Sequence, residues 1–423
     1  MKNLFLLTVC FILLSCQANI ELLGRKTYYD IHNHSSTVDK VKKKKKFKKT
    51  KIFNYALNVA KGQSWKSCAE FCDKFGARQT GSKSVEDSID FAVELMVKKN
   101  KKNKLNIKKK QKKEGFDKVH TQKMKQKQWV RGTEYVHLTS PIKKNLNMLG
   151  IGGSVETPNG KPIDSEVIVV KNFDEFKKIP DSVVKGKIVF FNAVFTSYGA
   201  TVQYRMSSAD VASAKGAIAV VIRSISPYSI NSPHTGTLRY SGNVKKIPVA
   251  AITLEDADMI QRIHDRNQTV KLSMLMTPKL VDTEGRNAVG EITGSKYPNE
   301  VIVIGGHVDS WDVGQGAMDD ADGIYVCFEA MRILKKLEIR PKRTIRIVWW
   351  NDEEFGGTGN KKYVEMIEHN ILGHVLAFEA DAGIFRPYGW GFTGVPRAKA
   401  IIAEIVKTFT SKIGVKELRD GVR

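Results

Sequence analysis

The sequence predicts an α/β protein: a mixed, parallel-rich sheet flanked by helices, with a second, smaller α/β domain inserted into it. Two patterns carry this expectation. Glu300–Ile304, Thr344–Trp350 and Gly373–Phe378 are nearly continuous apolar runs, and the helical pattern Ala321–Leu337 separates the first two. Continuous runs with helices between them belong to parallel strands covered on both faces, whereas a strand with one wet face alternates. Between 161 and 279, short apolar runs at Glu166–Val170, Lys187–Asn192, Ala217–Ile222 and Pro248–Ile252 are interleaved with helical patterns at Ser207–Lys215 and Leu254–Arg262, which suits a unit with a sheet of its own. With 423 residues, 42% of them hydrophobic, the chain can fill both cores.

Along the chain, Lys2, the apolar run Leu4–Leu14 and Cys16-Gln17-Ala18 read as a signal peptide, residues 1–18. The run is too short for a comfortable bilayer span, and no later run is long enough either. Leu13-Leu14-Ser15-Cys16 also resembles a bacterial lipoprotein cleavage site, a second-ranked reading. Residues 19–51 lack a sustained apolar period and read as a removable leader. Periodicity begins near Phe53: Phe53–Phe75 and Ser84–Val97 are expected amphipathic helices, with a turn at Gly76–Ser82 between them. The main body is thus expected over 52–160 and 280–423, around the insert.

The formal charge of +25 would by itself suggest a polyanionic partner. Most of it sits in two runs, however, with eight lysines in Lys42–Lys51 and ten in Lys98–Lys113. Neither run has interleaved aromatics or finger spacing, so both read as solvated low-complexity segments, the second a surface insertion, and no specific nucleic-acid partner is expected. After cleavage at Ala18, Cys68, Cys72 and Cys327 remain. Three cysteines make no disulfide framework, and the fold must stand on its cores. Asn33 and Asn267 head glycosylation acceptor triplets.

In parallel-rich sheets ligands bind beyond the carboxyl ends of the strands. Here His307 and Asp309 follow the first run, Glu353 and Glu354 the second, and Asp381 the third, while Asp319 and Asp320 open the intervening helix. Each has an ordinary explanation when taken singly: a hydrogen-bonded structural histidine, a helix cap, a solvated acidic pair, a turn residue. Independent surface acids have no reason to occupy successive strand exits, so the set points to one site. One histidine, several carboxylates and no cysteine is the donor set of a catalytic zinc centre with open positions.

The strings themselves narrow the reading. GGHVDSWDVGQGAMDD at 305–320 resembles the metal-binding segment of the two-zinc aminopeptidase and glutamate carboxypeptidase family. EITGSKYP at 291–298, RPKRT at 340–344, EADAG at 379–383, TVQYR at 201–205 and SPHTG at 232–236 extend the likeness over most of the chain from Phe53. The resemblance implies a zinc exopeptidase with two Zn2+ ions that cleaves dipeptides with free termini. It further implies a homodimer, matured by loss of a leader, in the secretory pathway: lysosomal, in the endoplasmic reticulum or Golgi, or extracellular. It implies that His307 and Asp381 hold one ion, Glu354 the other, and that Asp319 bridges them. Glu353 would be the general base and Asp309 the partner that orients the imidazole. In this family a histidine from a further C-terminal segment completes the second zinc. No histidine follows Asp381 here; His369 and His374 precede it and are poor candidates for that ligand, and His374, which begins the third strand, is expected to be structural. A catalytically impaired pseudo-peptidase is therefore the alternative expectation.

Overall fold

The computed structural model describes residues 52, 54–97, 115–228, 230–381 and 387–421. The signal peptide, the leader, Asn33 and both lysine runs, at least in their greater part, lie outside them. The chain divides into two compact units: one draws on residues up to Met124, Glu284–Glu353 and Gly357 onward, the other comprises Lys125–Thr283 with Glu354–Gly356.

The first unit is built on a five-stranded sheet. Its strands are β1 (Lys118–Val130), whose end continues into the second unit, β10 (Lys279–Ile292), β11 (Tyr297–His307), β12 (Arg343–Trp350) and β13 (His374–Glu379), in the spatial order β1-β10-β12-β11-β13. Strand β11, between β12 and β13, runs parallel to both neighbours, with His307 opposite Trp350 and Gly305 opposite Glu379, and β10 joins β12 antiparallel. The three parallel runs thus end at one edge, as the mixed, parallel-rich expectation requires. Helix Asp322–Lys336 lies within a core of Phe71, Ile89, Ile304, Ile324, Met331, Ile347 and Trp349. Its apolar residues cover most of its circumference, and Lys335 and Lys336 close its last turn, where cations suit the helix dipole. The first expected helix is broken. Ile52, Ala56 and Ala60 are buried, but Gly62 takes φ 80° and the regular helix begins only at Gln63, running to Phe75. The next helix is Lys83–Val97.

The second unit holds an eight-stranded sheet. Its strands are β2 (Glu134–Ser140), β3 (Lys144–Leu146), β4 (Met148–Gly150), β5 (Ile163–Val170), β6 (Ile188–Phe191), β7 (Ala219–Arg223), β8 (Val249–Ile252) and β9 (Lys271–Met276), in the order β3-β2-β9-β5-β6-β7-β8-β4. Strands β5 to β8 are the four read from the sequence, and they pair in parallel. Helix Leu254–Asp265 starts where Thr253 accepts a hydrogen bond from the Asp256 amide. The expected insert, 161–279, lies inside this unit, which begins earlier because β2 pairs with β9 and β4 with β8. A two-stranded parallel pair, β14 (Gly389–Phe392) with β15 (Glu417–Asp420), completes the described strands of the first unit.

Among the described residues no helix is long and apolar enough to cross a membrane. Cys68, Cys72 and Cys327 are free and buried. Trp349 is fully buried, with ring centroids 5.4 Å from Tyr325, 5.9 Å from Phe71 and 6.3 Å from Phe328. We expect Trp349→Ala to cost about 3–5 kcal/mol in urea unfolding, because the cavity it leaves is walled by other rings. A loss below about 1 kcal/mol would remove Trp349 from the centre of this core.

Candidate metal centre

The β11 exit sets the site. Gly305 and Gly306 precede His307, and a Cβ at Gly306 would come within 2.1 Å of Asp320 Oδ2. Small residues here let Asp320 close against the strand, where its Oδ2 accepts the His307 amide at 2.9 Å. Asp320 therefore secures the strand exit rather than the helix start. Burial, with Asp381 and Asp322 nearby, pushes its carboxyl well above the usual carboxylate range.

His307 is fully buried and its two ring nitrogens have different surroundings. Nδ1 lies 3.0 Å from the backbone carbonyl of Asp309. A carbonyl only accepts, so the proton of a neutral ring sits on Nδ1 and Nε2 presents its lone pair. Nε2 makes no hydrogen bond, yet it faces Asp319 Oδ1 at 3.0 Å and Asp381 Oδ1 at 3.4 Å. A lone pair confronting two carboxylates is repulsive unless positive charge lies among them. Burial opposes a charged ring, but Asp309, Asp319 and Asp381 outweigh it and raise the His307 pKa well above its ordinary value. The surroundings call for a cation.

The donor set fits zinc. At zinc bond lengths of about 2.0–2.2 Å, two ligand atoms of a tetrahedral ion lie about 3.3–3.6 Å apart; the Asp381 oxygen falls in that range from Nε2 and the Asp319 oxygen stands a few tenths of an ångström inside it. His307, Asp319 and Asp381 are the one group among the described residues whose ligand atoms converge in this way, all within 4.8 Å of one another. The Asp319 side chain is 61% exposed and that of Asp381 38% exposed, so the group has one closed wall and one open to solvent. That is how a catalytic centre differs from a structural one.

The remaining expected residues are distributed differently. Asp309 touches the imidazole through its main-chain carbonyl, while its carboxylate stands 3.7 Å from Nδ1 and is engaged elsewhere. Its Oδ2 accepts from Thr80 Oγ1 at 3.1 Å and its Oδ1 from the Glu353 amide at 3.2 Å. Glu353 follows β12, and its carboxyl is pushed up to about 7, first by burial and then by Asp381, Asp309 and Glu379 against the pull of His307. The residue as a whole is exposed, so solvent screens part of this rise and its direction carries the weight. Glu354 is half-buried, groups with the second unit, and is not in the converging set. His374 is held by Tyr363 Oη at 2.9 Å and the Asn370 carbonyl at 2.9 Å, as a structural histidine is. In the sequence Arg78 and Thr80 belong only to the expected turn Gly76–Ser82. Their one signal in the sequence is a lone arginine between small and turn-forming residues.

Comparison with known proteins agrees with this chemistry. The model of peptidase family M28 matches residues 287–419. Carboxypeptidase Q of Xenopus laevis is 41% identical over 349 residues, 82% of this chain and 71% of the relative; the Homo sapiens enzyme is 40% identical over 357 residues, 84% and 72%. A peptidase M28 precursor from Shewanella amazonensis superposes with a TM-score of 0.79 at 26% identity, covering 89% of this chain and 82% of that one. A zinc aminopeptidase from Bacillus subtilis shares the fold, with a TM-score of 0.57 at 18% identity over 84% and 78%.

Helix Asp322–Lys336 presses its first turn onto the exit of β13. A Cβ at Gly323 would lie 1.7 Å from the Ala380 carbonyl oxygen and 2.2 Å from Asp320 Oδ1. We expect Gly323→Ala to cost about 1–3 kcal/mol and to weaken zinc binding, since the backbone beside Asp381 must shift. Unaltered urea unfolding and zinc titration would show that this contact does not position Asp381.

Proposed function

We propose, from the premise that this chain belongs to peptidase family M28 as a carboxypeptidase Q-like member, that it is a zinc-dependent exopeptidase acting on short peptides with free termini, dipeptides among them. The observation that carries the reading is the buried His307 Nε2, without a hydrogen bond and opposed by two carboxylates. His307 and Asp381 would hold one zinc and Asp319 would bridge to a second, for which Glu354 is the proposed ligand. Zinc bound there supplies Lewis acidity, which polarises a scissile carbonyl and makes a water molecule a better nucleophile.

The chain's own residues do the remaining work. Glu353, its carboxyl raised above the usual carboxylate range by burial and the neighbouring acids, takes the proton from the attacking water and delivers it to the leaving amine. Asp309 fixes the Glu353 amide through its carboxylate and the His307 ring through its carbonyl, so base and ligand are held from one residue. A homodimer and passage through the secretory route belong to the same proposal and rest on the resemblance to carboxypeptidase Q and on the N-terminal sequence. Asn267 and Thr269 are both exposed, as a glycan acceptor must be.

Glu353→Gln is the decisive variant. It should retain zinc, measured by metal analysis of the purified protein, while dipeptide hydrolysis falls by about 10²–10⁴-fold; undiminished turnover would take the base role from Glu353. An unsubstituted chain that binds zinc without hydrolysing dipeptides would instead favour the impaired pseudo-peptidase. Expressed through a secretory route, the protein should carry a glycosidase-sensitive glycan at Asn267 that Asn267→Gln removes. An identical electrophoretic mobility of the two would end that part of the proposal.

A further inference from the structure

The turn Gly76–Ser82 is outside the metal-capable cluster, yet it reaches the chain on either side of it. Arg78 is fully buried, and its guanidinium donates to backbone carbonyls. Its Nε donates to the Val308 carbonyl at 2.7 Å, Nη1 to the carbonyls of Gly76 at 2.9 Å and Gln315 at 2.8 Å, and Nη2 to the Gly316 carbonyl at 2.8 Å. The main chain adds two further bonds: the Arg78 amide donates to Ser310 Oγ at 3.0 Å, and the Ser310 amide to the Arg78 carbonyl at 3.1 Å. Phe71 backs the guanidinium at 4.9 Å.

These acceptors are not scattered. Val308 directly follows His307, and Gln315 and Gly316 stand just ahead of Asp319. One planar fork therefore binds both ends of the loop that joins two of the converging ligands. The loop is shaped to receive it: Gly316 takes φ 54°, and a Cβ there would sit 2.8 Å from Nη2 and 2.4 Å from the Ser310 Cβ. Lysine could carry the charge but not the geometry, since its ammonium is a point donor and the guanidinium presents its donors at fixed angles. Two residues on, Thr80 is buried and its hydroxyl donates to Asp309 Oδ2 at 3.1 Å, opposite the oxygen that receives the Glu353 amide.

We propose that Arg78 and Thr80 are positioning residues of the zinc centre, Arg78 setting the span between His307 and Asp319, and Thr80 setting the Asp309 carboxylate and through it the Glu353 backbone. This rests on the zinc peptidase reading above. A residue that only stabilised the fold would lower the melting temperature and leave the affinity of the folded protein for metal unchanged.

The test compares full-length Arg78→Lys, Thr80→Val and Thr80→Ser with the unsubstituted chain, using competition against a zinc chelator, the melting temperature, and dipeptide kinetics. Arg78→Lys should weaken zinc binding about 10–100-fold while still melting in one transition. Thr80→Val should lower kcat about tenfold with KM little changed, and Thr80→Ser, which keeps the hydroxyl, should restore it. Arg78→Lys with a lower melting temperature but undiminished zinc affinity overturns the role given to Arg78. If Arg78→Lys does not fold, the threonine pair decides, and equal kcat in Thr80→Val and Thr80→Ser overturns the proposal. Absence of zinc binding by the unsubstituted chain is a different result: it removes the zinc reading itself, and this inference with it.

Discussion

The structure turns on one constraint, the orientation of a buried imidazole. With Nδ1 committed to the Asp309 carbonyl, the His307 ring cannot rotate its lone pair away from Asp319 and Asp381 without losing its only ordinary partner. Everything around it limits other adjustments. The strand behind is pinned by Asp320, the carboxylate of Asp309 is shared between Thr80 and the Glu353 amide, and the ring itself is sealed from water. A protein that holds a nitrogen against two acids in this manner has fixed a place for positive charge in advance. Preorganisation of this kind lets a metal centre act without the side chains having to rearrange at each turnover.

The cost appears in the neighbouring acids. Asp320 and Asp322 each leave an oxygen buried without a hydrogen bond, as does Asp352, and burial raises all three carboxyls, Asp322 to about 7 and Asp352 to about 6. Unsatisfied buried oxygens are uncommon in folded proteins because each carries a desolvation penalty. Among the described residues of the first unit, most such oxygens gather at the β11 and β12 exits and the helix start between them, with Glu86 Oε1 standing apart, the pattern expected where local stability has been given up for a site. The large aromatic core around Trp349, Phe71 and Tyr325 lies under the same helix whose first turn carries Asp322, and is well placed to offset it.

What the sequence disclosed follows from what kind of signal each element has. The runs at 300–304 and 344–350 are covered on both faces, as continuous apolarity implies, whereas the run at 373–378 is the edge strand β13, whose residues alternate between half-buried and exposed; the exit rule nonetheless led to His307, Asp319 and Asp381, which the fold brings together. The strands β1 to β4 left no such mark. On β1 the inward positions include Gln122 and Gln126 beside Met124, so its alternation of buried and exposed residues is not an alternation of apolar and polar ones. That is also why the second unit begins ahead of the expected boundary. The Asp309 contact was foreseeable in residue but not in atom: two positions after a histidine, either the carbonyl or the carboxylate can reach Nδ1, and only the backbone conformation selects between them.

Arg78 marks the limit of reading along a chain. Three of the four carbonyls its guanidinium bonds to lie more than two hundred positions away, and backbone carbonyls have no identity in sequence. A carboxylate partner would have shown as a residue of opposite charge somewhere downstream, but a carbonyl partner can be any residue at all. The one trace left is the demand the guanidinium makes on its surroundings, and Gly316 meets it with a left-handed φ and with no side chain at the point of closest approach. A glycine required by a distant arginine, and an arginine required by a loop between two ligands, are therefore parts of the site as much as the acids are, although neither could touch a metal ion.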